Sequence, residues 1–404
     1  KCMSGFCCWQ LFFVKASMKY LVPLLSLSAS LACSGEAGMT VLQSFPAVDA
    51  AFQGRIDLNN PLNYANQPVP GYIRKFNDTN FITNSGATLG RVLFYDKRLS
   101  SNETIACASC HQQQHAFSDT AVASQGVNGT TGRHSMRLIN ARFALETRFF
   151  WNERAQSLEA QTTMPGRDHG EMGFSGVNGD PEFSTLLTKL SAVDFYRELF
   201  KNAFGSEDIT EARIQLALGQ FIRSIQSFDS KFDAGRALVP NNNTPFANFT
   251  AEENLGKSLF LLPPVFSGSV RTGGGLGCAG CHRAPEFDID PNSANNGVIG
   301  TIAGGTDTTN TRSPSLRDLV KADGSLNGPM MHDGSMTSLN AMLEHYNAIS
   351  TSGNTNLDTR LRPNGSGQSL NMTAAEKNAL AAFLKTLTGS AVYADQRWSN
   401  PFNK

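Results

Sequence analysis

Apolar residues recur along this chain mostly at helical spacing. Between residues 210 and 232, Ile214, Leu218, Phe221, Ile222, Ile225, Phe228 and Phe232 fall three or four apart, which predicts a helix with one face on a core. Thr250, followed three residues later by Glu253, carries a capping-box signature and opens a second helix. Thr373 with Glu376 opens a third, with an apolar stripe of Leu380, Phe383, Leu384 and Leu387 and a stop at Gly389. No long alternating run predicts a strand. The Gly/Asn-rich stretches 267–277 and 290–311 read as loops, and loops of that length need something to fold over; a large apolar cofactor would supply it.

The pattern also repeats. Leu89-Gly90-Arg91-Val92-Leu93-Phe94 and Leu255-Gly256-Lys257-Ser258-Leu259-Phe260 share the form LGxxLF, and each precedes a Cys-x-x-Cys-His by a similar distance. An internal duplication accounts for this. The expected organisation is a signal or upstream segment over 1–33 and an N-terminal arm over 34–78. Two compact units follow, 79–236 and 246–390, joined by the Pro/Asn-rich linker 239–245, and a tail runs over 391–404. The fold class is mainly α, with two helical domains and long irregular loops.

Composition narrows the function classes. Of 404 residues, 40% are hydrophobic and 17% charged, enough apolar material for a packed core. A formal net charge of +0 argues against nucleic acid as a partner, since phosphate binding wants a basic excess. From Met18 the chain runs through a short basic start, an apolar stretch and small residues up to Cys33, an export signal too short to span a bilayer. Met18 reads as the start, with residues 1–17 upstream of it. Ser30-Leu31-Ala32-Cys33 loosely resembles a lipobox, so a lipid anchor at Cys33 and ordinary cleavage near Ala32 stand side by side. Either places the mature protein in the periplasm or on the outer surface.

Four of the eight cysteines lie in the first 33 residues. The others form Cys107-Ala108-Ser109-Cys110-His111 and Cys278-Ala279-Gly280-Cys281-His282, leaving none in the body for a disulfide. Two thiols at this spacing can each form a thioether to one vinyl group of a haem, and the adjacent histidine then ligates the iron. Zinc would want four clustered ligands, and a redox dithiol a βαβ setting. Two copies, each with its histidine, predict two covalent haem c groups with His111 and His282 as proximal ligands. An electron carrier would need both irons six-coordinate, whereas an enzyme needs one open face, so the remaining histidines matter: His115, His134, His169, His332 and His345.

With these motifs on hand, the chain resembles the bacterial dihaem cytochrome c peroxidase and MauG family over nearly all of residues 85–390. Four stretches carry the resemblance. Leu93-Phe94-Tyr95-Asp96 leads to the first haem motif, and Phe149-Phe150-Trp151-Asn152-Glu153-Arg154-Ala155 is followed by Ser157-Leu158-Glu159. Gly170-Glu171-Met172-Gly173 is the third, and Ser313-Pro314-Ser315-Leu316-Arg317 leading to His332-Asp333-Gly334-Ser335 is the fourth.

The resemblance implies two cytochrome c-like domains, each enclosing one covalent haem. The first reacts with hydrogen peroxide and the second feeds it electrons. Trp151 would lie between them as a relay. Gln161, Pro165 and Glu171 stand at the positions of the family's peroxide pocket. Glu171 would serve as acid–base group and Gln161 as hydrogen-bond donor, although composition alone would make Glu171 a surface carboxylate. The far ligand of the second haem is methionine in ordinary peroxidases and tyrosine in MauG-type enzymes. Tyr346 holds the matching position, with Met342 one helical turn earlier as its rival and His345 turned elsewhere. His332 would pack beside the second haem, His115 would share the helical face of His111, and His169 would sit on a loop near the peroxide pocket.

Two departures follow. The histidine that caps the resting peroxide site in ordinary members is absent near Gly126, and His134, eight residues on, is not expected to replace it. The first haem is then five-coordinate. The family's calcium site uses an asparagine where His134 stands, which leaves calcium an open expectation. The readings in play are a peroxidase served by a small donor protein, a cytochrome c or a cupredoxin; a MauG-like oxidase that modifies residues of a partner protein; and a plain electron carrier, for which Glu171 would have no use. A homodimer would be in keeping with the family.

Overall fold

The computed structural model describes residues 43–76 and 79–402. The export signal, the start at Met18 and the lipid-anchor reading of Cys33 lie outside the described residues. Helices run in the order α1 (Pro46–Phe52), α2 (Asn84–Tyr95), α3 (Cys107–Cys110), α4 (Leu158–Thr163), α5 (Phe183–Ser191) and α6 (Asp194–Phe204). They continue with α7 (Glu211–Ser224), α8 (Lys231–Arg236), α9 (Ala251–Leu261), α10 (Leu339–Asn347) and α11 (Ala374–Lys385). Two small antiparallel sheets accompany them, β1 (Pro264–Ser267) with β2 (Val270–Gly274), and β3 (His282–Arg283) with β4 (Asp288–Ile289), together with seven short 3-10 turns among the described residues. The fold is mainly helical, as expected, and no helix among the described residues is long and apolar enough to cross a membrane.

Two apolar cores organise these elements, one built around α2, α6 and α7 and the other around α9, α10 and α11. The duplication is visible in how each core's helix pair crosses. A Cβ on Gly90 of α2 would lie 2.0 Å from the Ala217 carbonyl oxygen of α7, and one on Gly256 of α9 would lie 1.8 Å from that of Ala379 in α11. One turn on, Phe94 meets Phe221 at 5.1 Å between ring centroids, and Phe260 meets Phe383 at 5.3 Å. The glycine of LGxxLF lets two helices touch backbone to backbone, and the phenylalanine seals the crossing.

Both capping boxes form, Thr250 accepting from Glu253 N–H and Thr373 from Glu376 N–H. The helix expected over 210–232 instead stops at Ser224. Asn140 is the physical reason: its N–H donates to the Ile225 carbonyl and its side chain accepts from Ser227 N–H, drawing that backbone out of the helix. Ser230 then caps α8 afresh. The last helix ends at Lys385, before Gly389. Part of the 267–277 stretch, expected as loop, forms the β1–β2 hairpin, bulged between Val265 and Phe266.

The segments read as an arm and a tail are part of the first core. Phe45, Val48, Phe52 and Tyr64 from one end and Val392 and Trp398 from the other are all buried in it. The Tyr64 hydroxyl donates to the Arg397 carbonyl and the Tyr95 hydroxyl to that of Trp398, tying residues 397–398 to residue 64 and to α2. Among the described residues no such cover reaches the second copy of the motif: Leu89 is fully buried, whereas its counterpart Leu255 is 47% exposed.

Candidate active site

Each Cys-x-x-Cys-His opens one wall of an apolar chamber. The chamber at Cys107, Cys110 and His111 has a volume of about 340 Å³, and the one at Cys278, Cys281 and His282 about 650 Å³. All four thiols are free, and burial pushes those of Cys107 and Cys278 up to about 12 and those of Cys110 and Cys281 up to about 11. Thiols held neutral in this way are poor redox dithiols, which depend on a lowered pKa. Nδ1 of His111 faces the carbonyl oxygens of Phe117 at 3.1 Å and Met136 at 2.9 Å, so it carries the proton and leaves Nε2 as the free lone pair. Nδ1 of His282 is buried without a partner. Burial holds both imidazoles neutral, lowering His111 and bringing His282 to about 4, with the charges of Arg360 and Arg137 adding to the effect at His282. Neutral imidazole is the form that binds iron.

These residues suit haem. The chambers are apolar, each has a thiol pair and a neutral histidine, and their shared wall holds two guanidinium groups, Arg137 and Arg312. Arg137 is 7% exposed; one nitrogen donates to the Ser315 carbonyl and its Nε is buried without a partner. A buried cation of this kind wants a carboxylate, which haem carries on its propionates.

Gln161, Pro165, Glu171 and Trp151 all line the first chamber. Gln161 sits on α4, which Ser157 caps and which Glu159 fastens to α7 through a buried ion pair with Arg223. Glu171 is held by a loop pairing: Val127 N–H donates to the Glu171 carbonyl at 3.0 Å and Asn128 N–H to that of Gly170 at 3.2 Å. Burial pushes the Glu171 carboxyl up to about 7, with the charge of Asp168 adding to the rise and Arg154 opposing it. Gly126 lies against this loop so closely that a Cβ would meet the Gly170 carbonyl oxygen at 2.1 Å. Position 126 therefore has no room for a capping side chain.

Trp151 lines both chambers. Its indole N–H donates to the His134 carbonyl at 2.8 Å, and its own carbonyl accepts from the N–H groups of Thr311 and Arg312, each at 3.0 Å. The ring lies 6.3 Å from that of His332, whose Nε2 donates to the Gly300 carbonyl at 2.7 Å.

The remaining histidines stand away from the roles expected of iron ligands. His134 is buried, its ring set between the Ala121 carbonyl at 3.0 Å and the Ser118 hydroxyl at 3.3 Å. Burial brings it to about 4, leaving it neutral. Among the described residues no group of three or more His, Cys, Asp or Glu is gathered for a metal ion, so the calcium expectation gains no support. His169 pairs with Asp180. His115 does not share a helical face with His111, because α3 stops at Cys110 and the chain turns before the short 3-10 turn Gln113–His115. His345 turns to the Asn296 carbonyl at 2.9 Å.

Tyr346 and Met342 both line the second chamber, as their spacing on α10 requires. Two further residues there escaped the sequence reading. Asn296 donates to the Tyr346 hydroxyl oxygen at 3.3 Å and to the Met331 sulfur at 3.2 Å. Both stand about fifty residues or fifteen residues away from Tyr346 in sequence, and no local pattern marks them.

Comparison with known proteins agrees with this geometry. The family model described as di-haem cytochrome c peroxidase matches residues 84–237. The chain is 32% identical to the methylamine utilization protein MauG of Methylorubrum extorquens over 319 residues, 76% of this chain and 79% of that one. It is 27% identical to the cytochrome c551 peroxidase of Nitrosomonas europaea, covering 75% of this chain and 80% of that one. Among solved structures, a MauG-like protein associated with microbial copper homeostasis superposes with a TM-score of 0.62 at 29% identity, covering 83% of this chain and 99% of that one.

Proposed function

The chain belongs to the dihaem cytochrome c peroxidase and MauG family of oxidoreductases, and from that premise we propose that it reduces hydrogen peroxide to water at the first chamber, with the two electrons arriving from the second chamber past Trp151. One observation carries this reading: Glu171, Gln161 and Pro165 share the chamber of Cys107, Cys110 and His111. A haem c held there by Cys107, Cys110 and His111 would supply redox chemistry toward peroxide.

The side chains do the rest. Glu171, near 7, is poised both to take a proton from one peroxide oxygen and to return it to the other as it leaves. Peroxide, two electrons and two further protons then balance as two waters. Gln161 would orient the peroxide by a hydrogen bond, and Pro165 fills the wall beside it. Trp151, lining both chambers, shortens the electron's path. An exported location follows from the sequence signal and from covalent haem.

Two observations favour a MauG-like variant, in which the electrons come from residues of a partner protein rather than from a small donor cytochrome or cupredoxin. A side chain at position 126 would collide with the Gly170 carbonyl, which supports a first haem that reacts without reductive activation. Tyr346 offers an oxygen ligand to the second chamber, and an anionic oxygen favours oxidised iron. The test is to add stoichiometric peroxide to the diferric protein and record its spectrum. A rapid change in both haems supports the MauG-like variant, a need for prior half-reduction supports the donor-fed peroxidase, and no response in either state overturns peroxide chemistry altogether.

A further inference from the structure

Asn296 sits on a turn with little freedom. The fully buried Asn295 accepts from Gly297 N–H and donates to the carbonyls of Val298 at 3.0 Å and Asn310 at 3.1 Å. The main-chain carbonyl of Asn296 accepts from His345, the neighbour of Tyr346, so the turn is fastened to α10. Gly297, at φ +96°, has His345 3.2 Å from where a Cβ would stand, so the contact is close.

The amide orientation is fixed as well. Its oxygen accepts from Val298 N–H at 3.1 Å, which leaves the NH₂ group facing Met331 and Tyr346. That group can only donate. The Tyr346 oxygen must therefore accept from it, and Asn296 is the oxygen's one hydrogen-bond partner among the described residues. The oxygen's remaining direction is left to the chamber that Cys278, Cys281 and His282 also line. The second amide hydrogen engages the Met331 sulfur, another potential iron ligand in the same chamber.

We infer that Asn296 is a positioning residue for Tyr346: it presents the phenol oxygen to iron in the second chamber, moderates how strongly that oxygen donates, and keeps the Met331 sulfur engaged elsewhere. This rests on the reading of that chamber as a haem site with Tyr346 as ligand. A hydrogen bond to a ligating oxygen withdraws electron density from it. Removing the bond strengthens the ligand, stabilises oxidised iron and lowers the potential.

The experiment is a spectroelectrochemical titration of the full two-haem protein as wild type, N296L, Y346F and the double variant. N296A serves if N296L fails to load haem. Wild type to N296L is expected to lower the second haem's midpoint potential by about 59 mV, a tenfold change for one electron, and to shift nothing in the Y346F background. An equal shift in both backgrounds, or none in either, overturns the inference about Asn296 while leaving Tyr346 intact. A Y346F spectrum identical to wild type instead overturns the ligand reading beneath it.

Discussion

The indole N–H of Trp151 donates to the main-chain carbonyl of His134 at 2.8 Å. His134 in turn donates its own N–H to the carbonyl of His332 at 2.8 Å, and the His332 ring faces Trp151 at 6.3 Å. The tryptophan between the two chambers is thus held through a main-chain hydrogen bond that joins residue 134 to residue 332. Replacing Trp151 by Phe keeps an aromatic ring but leaves the His134 carbonyl unpaired, which costs about 1–3 kcal/mol if buried. The expected outcome is a protein that still binds two haems but answers peroxide at one of them. Turnover is expected to fall at least about tenfold, the equivalent of 1.4 kcal/mol of barrier. Stopped-flow spectra resolving the two Soret bands check it; undiminished communication would remove Trp151 from the path.

Glu171 makes a pH-dependent prediction. As a base it acts deprotonated, so kcat/KM for peroxide should rise with pH through about 7 and flatten above. Glu171→Gln should remove that limb and slow turnover by about 10²–10⁴-fold with haem content unchanged. Stability responds with the opposite sign. A carboxyl raised from 4.5 to about 7 binds its proton more tightly folded than unfolded. Its contribution to stability is complete below 4.5 and is lost as pH rises through about 7. The variant should therefore show a flatter Tm profile between those pH values, measured by thermal melts in matched buffers.

Much of this was legible in the sequence, and the reasons it was or was not are physical. Cys-x-x-Cys-His declares itself because thioether attachment and ligation need adjacent residues. The LGxxLF copies declare themselves because a helix crossing repeats one glycine and one phenylalanine at fixed spacing. Asn296, Arg137 and the contact of Gly126 with Gly170 leave no such trace, since each acts on residues far along the chain. That the arm and tail pack into the first core is hidden for a related reason. Helix α1 has only seven residues, and Phe45, Tyr64 and Trp398 enter the core singly, without a period that would reveal their burial.

Gly126 is the place to test the open first chamber. A Cβ there would stand 2.1 Å from the Gly170 carbonyl oxygen and 2.8 Å from the Glu171 Cα, both backbone atoms that cannot swing aside. Gly126→Ala should therefore part the two loops, destabilise the protein by about 1–3 kcal/mol and slow the peroxide reaction by displacing Glu171. Gly126→His should do the same without creating a new iron ligand. Gly71→Ala, where a Cβ meets nothing within 4 Å, is the control. A Gly126→Ala protein as stable and as fast as wild type would show that the loops accommodate a side chain after all.

The duplicated crossing yields the sharpest stability prediction, because two effects oppose each other. In an ordinary helix, glycine to alanine stabilises by about 1 kcal/mol through propensity. At Gly256 the added methyl would lie 1.8 Å from the Ala379 carbonyl oxygen, and at Gly90 2.0 Å from that of Ala217. The obstacle in each case is backbone, so trimming the partner's side chain brings no relief and the helices must separate. Separation also breaks the ring contacts one turn away, Phe260 with Phe383 and Phe94 with Phe221. Overpacking of this kind costs about 1–3 kcal/mol, which outweighs the propensity gain. Gly256→Ala and Gly90→Ala should each lower the melting temperature, and neither should be rescued by Ala379→Gly or Ala217→Gly. The haem whose chamber borders the altered crossing should be the first to change its spectrum on heating: the second for Gly256→Ala, since Phe260 lines that chamber, and the first for Gly90→Ala, since Phe94 lines the other. Calorimetry with parallel absorbance at each haem's own band reads both, and a stabilising effect at either glycine would refute the backbone-to-backbone crossing.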